Sequence, residues 1–239
     1  MCGRFVTNFS MEELVDSLEA AELDVVHTTD VHDFRNFNGA PTQLFPVVMG
    51  KPGDGGSSSV SVEIARWGLV PRWMKDDKSA ARMINARVET VREKPSFKGL
   101  LSGHRCIVPM CGYYEWNRDN PKKKVPYFIF NGDSPIAFAA GLWTTSPVTG
   151  DMPTFTMLTE DAPNEVAFVH DRAPVLLDVD WMKEWLCDSD APVEAVASRH
   201  RHRLSVRQVS ERVNSVRNND PSLVTEVQQS DGGTGLFDA

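Results

Sequence analysis

The sequence has no run of about 18 apolar residues, the length a membrane span needs, and no basic segment leading into a short apolar stretch, as an export signal would. A soluble intracellular protein is expected, cytoplasmic, and associated with the nucleoid if its source is prokaryotic. Cysteine is scarce: Cys2, Cys106, Cys111 and Cys187 are the only four in 239 residues, too few for a disulfide scaffold. His104, Cys106 and Cys111 outline half a zinc site, but no second pair at ligand spacing completes it, so no metal and no cofactor is expected. The chain lacks repeats of about 20 to 50 residues, which excludes a solenoid.

Positive charge is also in short supply. A net charge of −8 argues against a protein that coats nucleic acid, because such binding rests on cations neutralising phosphates. The distribution qualifies this. Between Arg66 and Lys124 there are 14 Lys/Arg against 6 Asp/Glu, an excess of 8 cations that leaves an excess of 16 anions on the remainder. An acidic body with one basic segment suits a localised anionic ligand, or is simply a solvated charged face. Hydrophobic residues at 41% and charged residues at 24% are ordinary globular values, and the length allows one large or two small domains.

Local patterns give the elements. Residues 2 to 9 read as a strand. Ser10 and Glu13 form a capping box ahead of Leu14, Val15 and Leu18, predicting a helix over Met11–Ala21. Residues 35 to 46, broken by Gly39, Pro41 and Pro46, predict an ordered loop leading into a strand at Val47–Met49. Lys51–Ser59 reads as a hairpin connection, and the alternation of Val60, Val62 and Ile64 as a half-buried strand. Ala80–Glu93 has a short apolar face suited to a helix. Arg105–Trp116 is β-rich, Lys122–Lys124 a hairpin turn, and Tyr127–Phe130, Ile136–Trp143 and Thr154–Thr159 three further strands. A short helix from Pro163, a strand at Val175–Leu177, a helix over Val179–Cys187 and a loose tail complete the pattern. Arg199–Arg203 reads as basic surface, and Val206–Val216 as strand and loop.

The residues with chemical potential begin at the second position. With Met1 removed, Cys2 offers an α-amine and a thiol on one residue, with ordinary pKa values of about 8 and about 8.5, so no strong shift is needed for either to act. The amine can add to an aldehyde and the thiol can close on the imine carbon as a thiazolidine, an intramolecular step of high effective molarity. Such chemistry calls for an exposed Cys2 near a carboxyl and an imidazole. The alternative is a small apolar residue filling the core. Trp67 and Trp73 flank a Gly-Pro corner and are either a platform for unpaired bases or core. Asn85 between Ile84 and Ala86 is a backbone clamp or a positioned hydrogen-bonding group. Glu115 lies among aromatics, where an inward orientation raises its pKa toward proton-transfer use and an outward one makes it an edge charge. His170 beside Arg172 can combine proton transfer with phosphate binding.

Met1-Cys2-Gly3-Arg4-Phe5, Asn38–Thr42, Trp67–Pro71, Asn85–Thr90, Arg105–Pro109 through Glu115-Trp116, and His170-Asp171-Arg172 follow one another in this chain. In that order they resemble the SRAP (SOS-response-associated peptidase) family and its abasic-site processing members. The resemblance implies a single α+β domain over residues 2 to 223, a curved barrel-like and mostly antiparallel sheet with flanking helices, and a flexible tail from 224 to 239. It implies a monomer that binds single-stranded DNA containing abasic sites, at single-strand/double-strand junctions among others, and captures the ring-opened sugar covalently at Cys2. Asn85 would orient the Cys2 amine or the sugar, Glu115 handle protons and aid any reversal, and His170 protonate the sugar oxygen as the ring opens. Arg4, Arg87 and Arg172 would clamp phosphates, Asn38 and Pro41 line the DNA site, and Trp67 and Trp73 wedge or stack on bases. Peptidase activity would serve chiefly to release Met1. Ala173 stands where the family pattern has Met, which touches packing and not chemistry. A general thiol peptidase and a non-covalent reader of modified bases are the alternatives.

Overall fold

A computed structural model describes residues 2–50, 59–117, 119, 124–188, 191–193 and 203–227. In chain order the elements are β1 (Arg4–Ser10), α1 (Met11–Glu19), β2 (Asp24–Thr28), β3 (Asp33–Gly39), β4 (Leu44–Gly50), β5 (Ser59–Trp67), β6 (Asn85–Arg87), α2 (Val88–Val91), β7 (Arg105–Met110) and β8 (Gly112–Asn117). They continue with β9 (Val125–Asn131), β10 (Ala137–Thr144), β11 (Thr154–Asp161), α3 (Asn164–Ala167), β12 (Arg172–Pro174), α4 (Val179–Cys187) and β13 (Leu204–Gln208). The fold is α+β in one domain.

Two sheets carry it. One runs β13-β9-β8-β1-β3 and the other β12-β11-β10-β7-β4-β5-β2. A parallel contact of β11 with β5 at Thr154↔Arg66 and Phe155↔Trp67 joins β5, β4, β7, β10 and β11 into a closed circuit. This is the curved, ring-like sheet the sequence implies. Alternation divides its side chains between two cores, as the period of two along a strand requires. Phe45, Val47, Met49, Cys106, Val108, Ala139, Phe155 and Met157 pack in one core with Cys2, Phe5 and Tyr113 from the other sheet. Val48, Ile107, Phe138, Ala140 and Leu158 pack in a second with Leu14 and Leu18 of α1 and Trp185 of α4.

Helix α1 starts where its capping box predicts. The Ser10 side chain accepts from the Glu13 amide, and the Glu13 carboxylate accepts from the Ser10 amide. Between β7 and β8 the chain leaves one sheet for the other through Cys111 and Gly112. At Gly112, φ is 152°, and a Cβ would lie 2.5 Å from the Ile129 carbonyl oxygen, so this crossing requires glycine.

Four expectations change. Residues 33 to 39 form β3 on the edge of a sheet, and only positions 40 to 43 remain loop. Pro46 is tolerated within β4 because β7 reaches that strand only at Val48 and Met49, leaving Pro46 paired on one side. The Ala80–Glu93 segment is one turn of 3-10 helix (Ala80–Arg82), strand β6 and the single turn α2. The strand expected at Val175–Leu177 is β12, three residues earlier, while Leu176 makes an isolated bridge to Ala139. Finally, β5 is covered on both faces at Val60, Ser61 and Val62. The Lys51–Ser59 connection, the turn at Lys122–Lys124 and Arg199–Arg203 lie largely outside the described residues. At the far end Val209 bridges Glu226.

Candidate active site

Cys2 enters the fold immediately before β1, an inner strand between β3 and β8. The β1–β8 register pairs Arg4 with Tyr114 and Phe5 with Tyr113; continued one step, it sets Gly3 opposite Glu115. Glu115 is 1% exposed, on the same strand face as Tyr113. Across from them, β6 lies parallel to β11 with Asn85 opposite Met157. The Asn85 Nδ2 donates to the Cys2 carbonyl at 2.7 Å, and its Oδ1 is buried with no hydrogen-bond partner among the described residues. The tip of an inner strand, a buried carboxyl and an amide thus meet at one residue.

The thiol itself is fully buried, which corrects the expectation of a terminus open to solvent in a chain that still carries Met1. Burial pushes its pKa far up, and the Glu115 carboxylate adds to that. Sγ contacts the Arg4 carbonyl only at 3.7 Å. Desolvation disfavours the thiolate, so Cys2 rests as a neutral thiol. The core-filling and reactive readings of this residue are therefore compatible.

His170 lies on the loop after α3. Val169 beside it packs in the core that holds Cys2, and Asn117 Nδ2, two residues beyond Glu115, donates to the Phe168 carbonyl at 2.6 Å. His170 Nδ1 is 3.0 Å from the Arg172 amide and 2.7 Å from Asp171 Oδ1. One nitrogen cannot accept from the amide and donate to the carboxylate together. A neutral ring that accepts from the amide carries its proton on Nε2. A cleft of ≈ 320 Å³ lined by Asp119, Phe168, His170 and Asp171 opens here, with Phe168 54% exposed.

The expected DNA-contacting residues divide into frame and surface. Trp67 is 0% exposed, stacked near Phe155 at 6.4 Å and edge-on to Phe5 at 4.9 Å. Its Nε1 donates to the Ile84 carbonyl at 3.0 Å, bracing the residue before Asn85. It cannot stack on bases, because aromatic neighbours fill its environment. Arg172 is buried: its guanidinium meets both carboxylate oxygens of Glu89 at 2.6 and 3.0 Å, Asp161 at 2.6 Å and the Thr159 carbonyl at 2.7 Å. It ties α2 to β11 and is not a free phosphate clamp. Asn38 is buried too, its amide shared among the carbonyls of Val213, Ser215 and Asn218. Its Oδ1 accepts from Arg4 at 2.7 Å, and Arg4 also donates to Val213, so both residues anchor the 213–218 segment. Pro41 is half-buried in the β3–β4 loop, beside Thr42, whose amide donates to the Trp67 carbonyl. Trp73, 66% exposed, and Arg87 remain on the surface, with Arg72, Lys75, Lys78, Arg82, Arg92, Lys94 and Lys98.

The imagined zinc half-site does not converge. Cys106 points into the core with Cys2, the Cys111 thiol approaches the Asn8 carbonyl, and His104 packs on Trp143 at 5.0 Å. Tyr113 and Glu160, both buried, and the exposed Phe168 also lie here, outside the residues that the motifs single out. The two-residue spacing of Tyr113 and Glu115 on a strand is the signal that marks the first. Glu160 and Phe168 carry no comparable local sign.

The family profile described as SOS response associated peptidase (SRAP) matches residues 1–216. The chain belongs to the SRAP family. Among SRAP relatives, the abasic site processing protein YoqW of Bacillus subtilis is 38% identical over 233 residues, covering 94% of this chain and 99% of that protein. The abasic site processing protein HMCES of Gallus gallus is 32% identical, over 81% of this chain and 66% of its own length. YedK of Escherichia coli, which bears the same description, is 29% identical over 95% and 100%. A solved protein of Bacteroides thetaiotaomicron shares the fold with a TM-score of 0.74 and 23% identity, covering 95% of this chain and all of that one. SRAP proteins of this abasic-site processing group are thus the setting for the cluster around Cys2. Among the described residues no helix is long and apolar enough to cross a membrane.

Proposed function

We propose that this chain captures abasic sites in single-stranded DNA as a covalent thiazolidine at Cys2, once Met1 has been removed. The observation that carries the reading is the fixed position of Cys2: its carbonyl is held by Asn85, and the buried Glu115 is close enough to act on its thiol. The relatives' description as abasic site processing proteins supplies the substrate class.

The chemistry matches these environments. The freed amine adds to the aldehyde carbon of the opened sugar and water departs, leaving an imine. The thiol then adds to the same carbon, its proton passing to the ring nitrogen, so the balance is one water lost. Only the amine must be nucleophilic at the outset, and the Asn85 Oδ1 is an acceptor to orient it. Glu115 accepts and returns protons, and His170, through Nε2, protonates the ring oxygen as the sugar opens. The exposed cations from Arg72 to Lys98 bind the strand's phosphates with a salt-sensitive affinity, and exposed Trp73 stacks on a base.

A general thiol peptidase needs a cysteine whose pKa is depressed; burial moves Cys2 the other way. Peptidase activity is accordingly read as a single self-cleavage behind Met1. Protein lacking Met1, incubated with single-stranded DNA bearing one abasic site, should give a heat-stable adduct on a denaturing gel. Cys2→Ala should give none; an undiminished adduct in that variant, or turnover of peptides without DNA, rejects the reading.

A further inference from the structure

Tyr113 has a hydroxyl for which the resting protein has no use. The residue is 2% exposed, pairs with Phe5 of β1 and packs in the same core as Cys2. Its Oη is buried and meets no hydrogen-bond partner among the described residues. Phenylalanine would fill the space without leaving a polar atom unsatisfied, so the hydroxyl costs stability in the resting state. Its surroundings are those of the reaction. Tyr113 and Glu115 leave the same face of β8, two residues apart, and Cys2, Glu115 and Glu160 all act electrostatically on the phenol. Glu160, itself buried, comes from β11 opposite Ala173. Burial first, then these three acidic neighbours, hold the phenol well above its ordinary pKa. It stays protonated, and is a donor throughout the working range.

We propose that the Tyr113 hydroxyl donates a hydrogen bond to the C1 oxygen of the abasic sugar as the Cys2 amine adds to C1. The inference rests on the capture reading above and names a catalytic residue for it. As the nitrogen lone pair forms the N–C1 bond, the C=O electron pair moves onto oxygen, and a fixed neutral donor in a buried site stabilises that charge without reorganising. Both hydrogens of the departing water come from the Cys2 amine by way of Glu115; Tyr113 keeps its own. The S–H bond then breaks, sulfur bonds C1, and the proton goes to nitrogen. Tyr113 thereby serves the aldehyde oxygen, while His170 serves the ring oxygen.

The test is Tyr113→Phe in protein lacking Met1, with abasic single-stranded DNA and cyanoborohydride to trap the imine. Trapping should slow by roughly tenfold or more, while Tm stays level or rises because an unsatisfied atom has gone. Fluorotyrosine at position 113, which keeps both shape and donor, should restore the rate. Equal trapping rates for wild type and Tyr113→Phe overturn the proposal, as does a fluorotyrosine protein as slow as Tyr113→Phe. Should Tyr113→Phe fail to fold, ring-fluorinated tyrosines of graded acidity decide: their trapping rates near neutral pH should rise with the donor strength of the phenol, and rates indifferent to it reject the role. Wild-type protein that forms no adduct removes the capture reading itself, whereas wild-type adduct with unaffected Tyr113→Phe removes only this assignment.

Discussion

Asn85 holds Cys2 by its backbone: the side-chain amide reaches the Cys2 carbonyl oxygen across 2.7 Å from a three-residue strand 83 positions away in sequence. This bond fixes the direction in which the amine and the thiol leave the chain. Asn85→Ala should therefore slow adduct formation by about tenfold to a hundredfold, the cost of a misplaced reacting group, and lower stability by only about 1 kcal/mol. DNA affinity and its salt dependence should stay as in wild type. Single-turnover gels and a binding titration measure the two effects separately.

The two tryptophans should separate cleanly. Trp67→Ala removes a fully buried ring that braces Ile84 and should cost about 3–5 kcal/mol, seen as a large fall in the denaturant midpoint. Trp73→Ala should leave the midpoint unchanged and weaken binding to single-stranded DNA by about 1–3 kcal/mol.

Arg172→Ala should act on stability more than on DNA affinity. The Arg172 hydrogen bond and charge hold the Glu89 carboxyl below its ordinary value of 4.5. A depressed carboxyl contributes stability that is complete above the unfolded value and is lost as pH falls through the folded one. The wild type should thus lose Tm on acidification below about pH 4.5, and Arg172→Ala should lose less over that interval. Thermal melts at stepped pH check the difference.

At the alkaline end the sign reverses. Burial raises Cys2, Cys106, Tyr113 and Tyr114 above their ordinary values of 9.0 and 10.0. The unfolded chain gives up these protons first, so stability should be level to about pH 9 and fall beyond it. The same protonation predicts an order of alkylation near neutral pH, read by mass spectrometry. Cys187, partly exposed, should react first, then Cys111, pushed up to about 11, with Cys2 and Cys106 last.

The sequence makes some of this plain and hides the rest for identifiable reasons. The α1 capping box and the α4 span are local patterns, readable without the fold. The residues gathered at Cys2 were legible as ordered motifs. Their roles were less so. Trp67 and Trp73 sit in one short motif with the same composition around them, and only the pairing of β11 with β5 buries one and leaves the other outside. Arg172 reads as a free cation because its partner Glu89 is 83 residues distant. β6 is too short for any period to show, and its parallel pairing with β11 is wholly non-local.

The placement of β1 also has a mechanical meaning. It is laddered on one side to β8 and on the other to β3, and Cys2 stands at its tip. A tug transmitted through a DNA strand fastened at Cys2 would run along the strand axis and load both ladders in shear, so that their hydrogen bonds share the force together. An edge strand pulled sideways would instead peel open one bond after another. The proposed attachment at Cys2 would thus place such a load along β1, where both ladders oppose it.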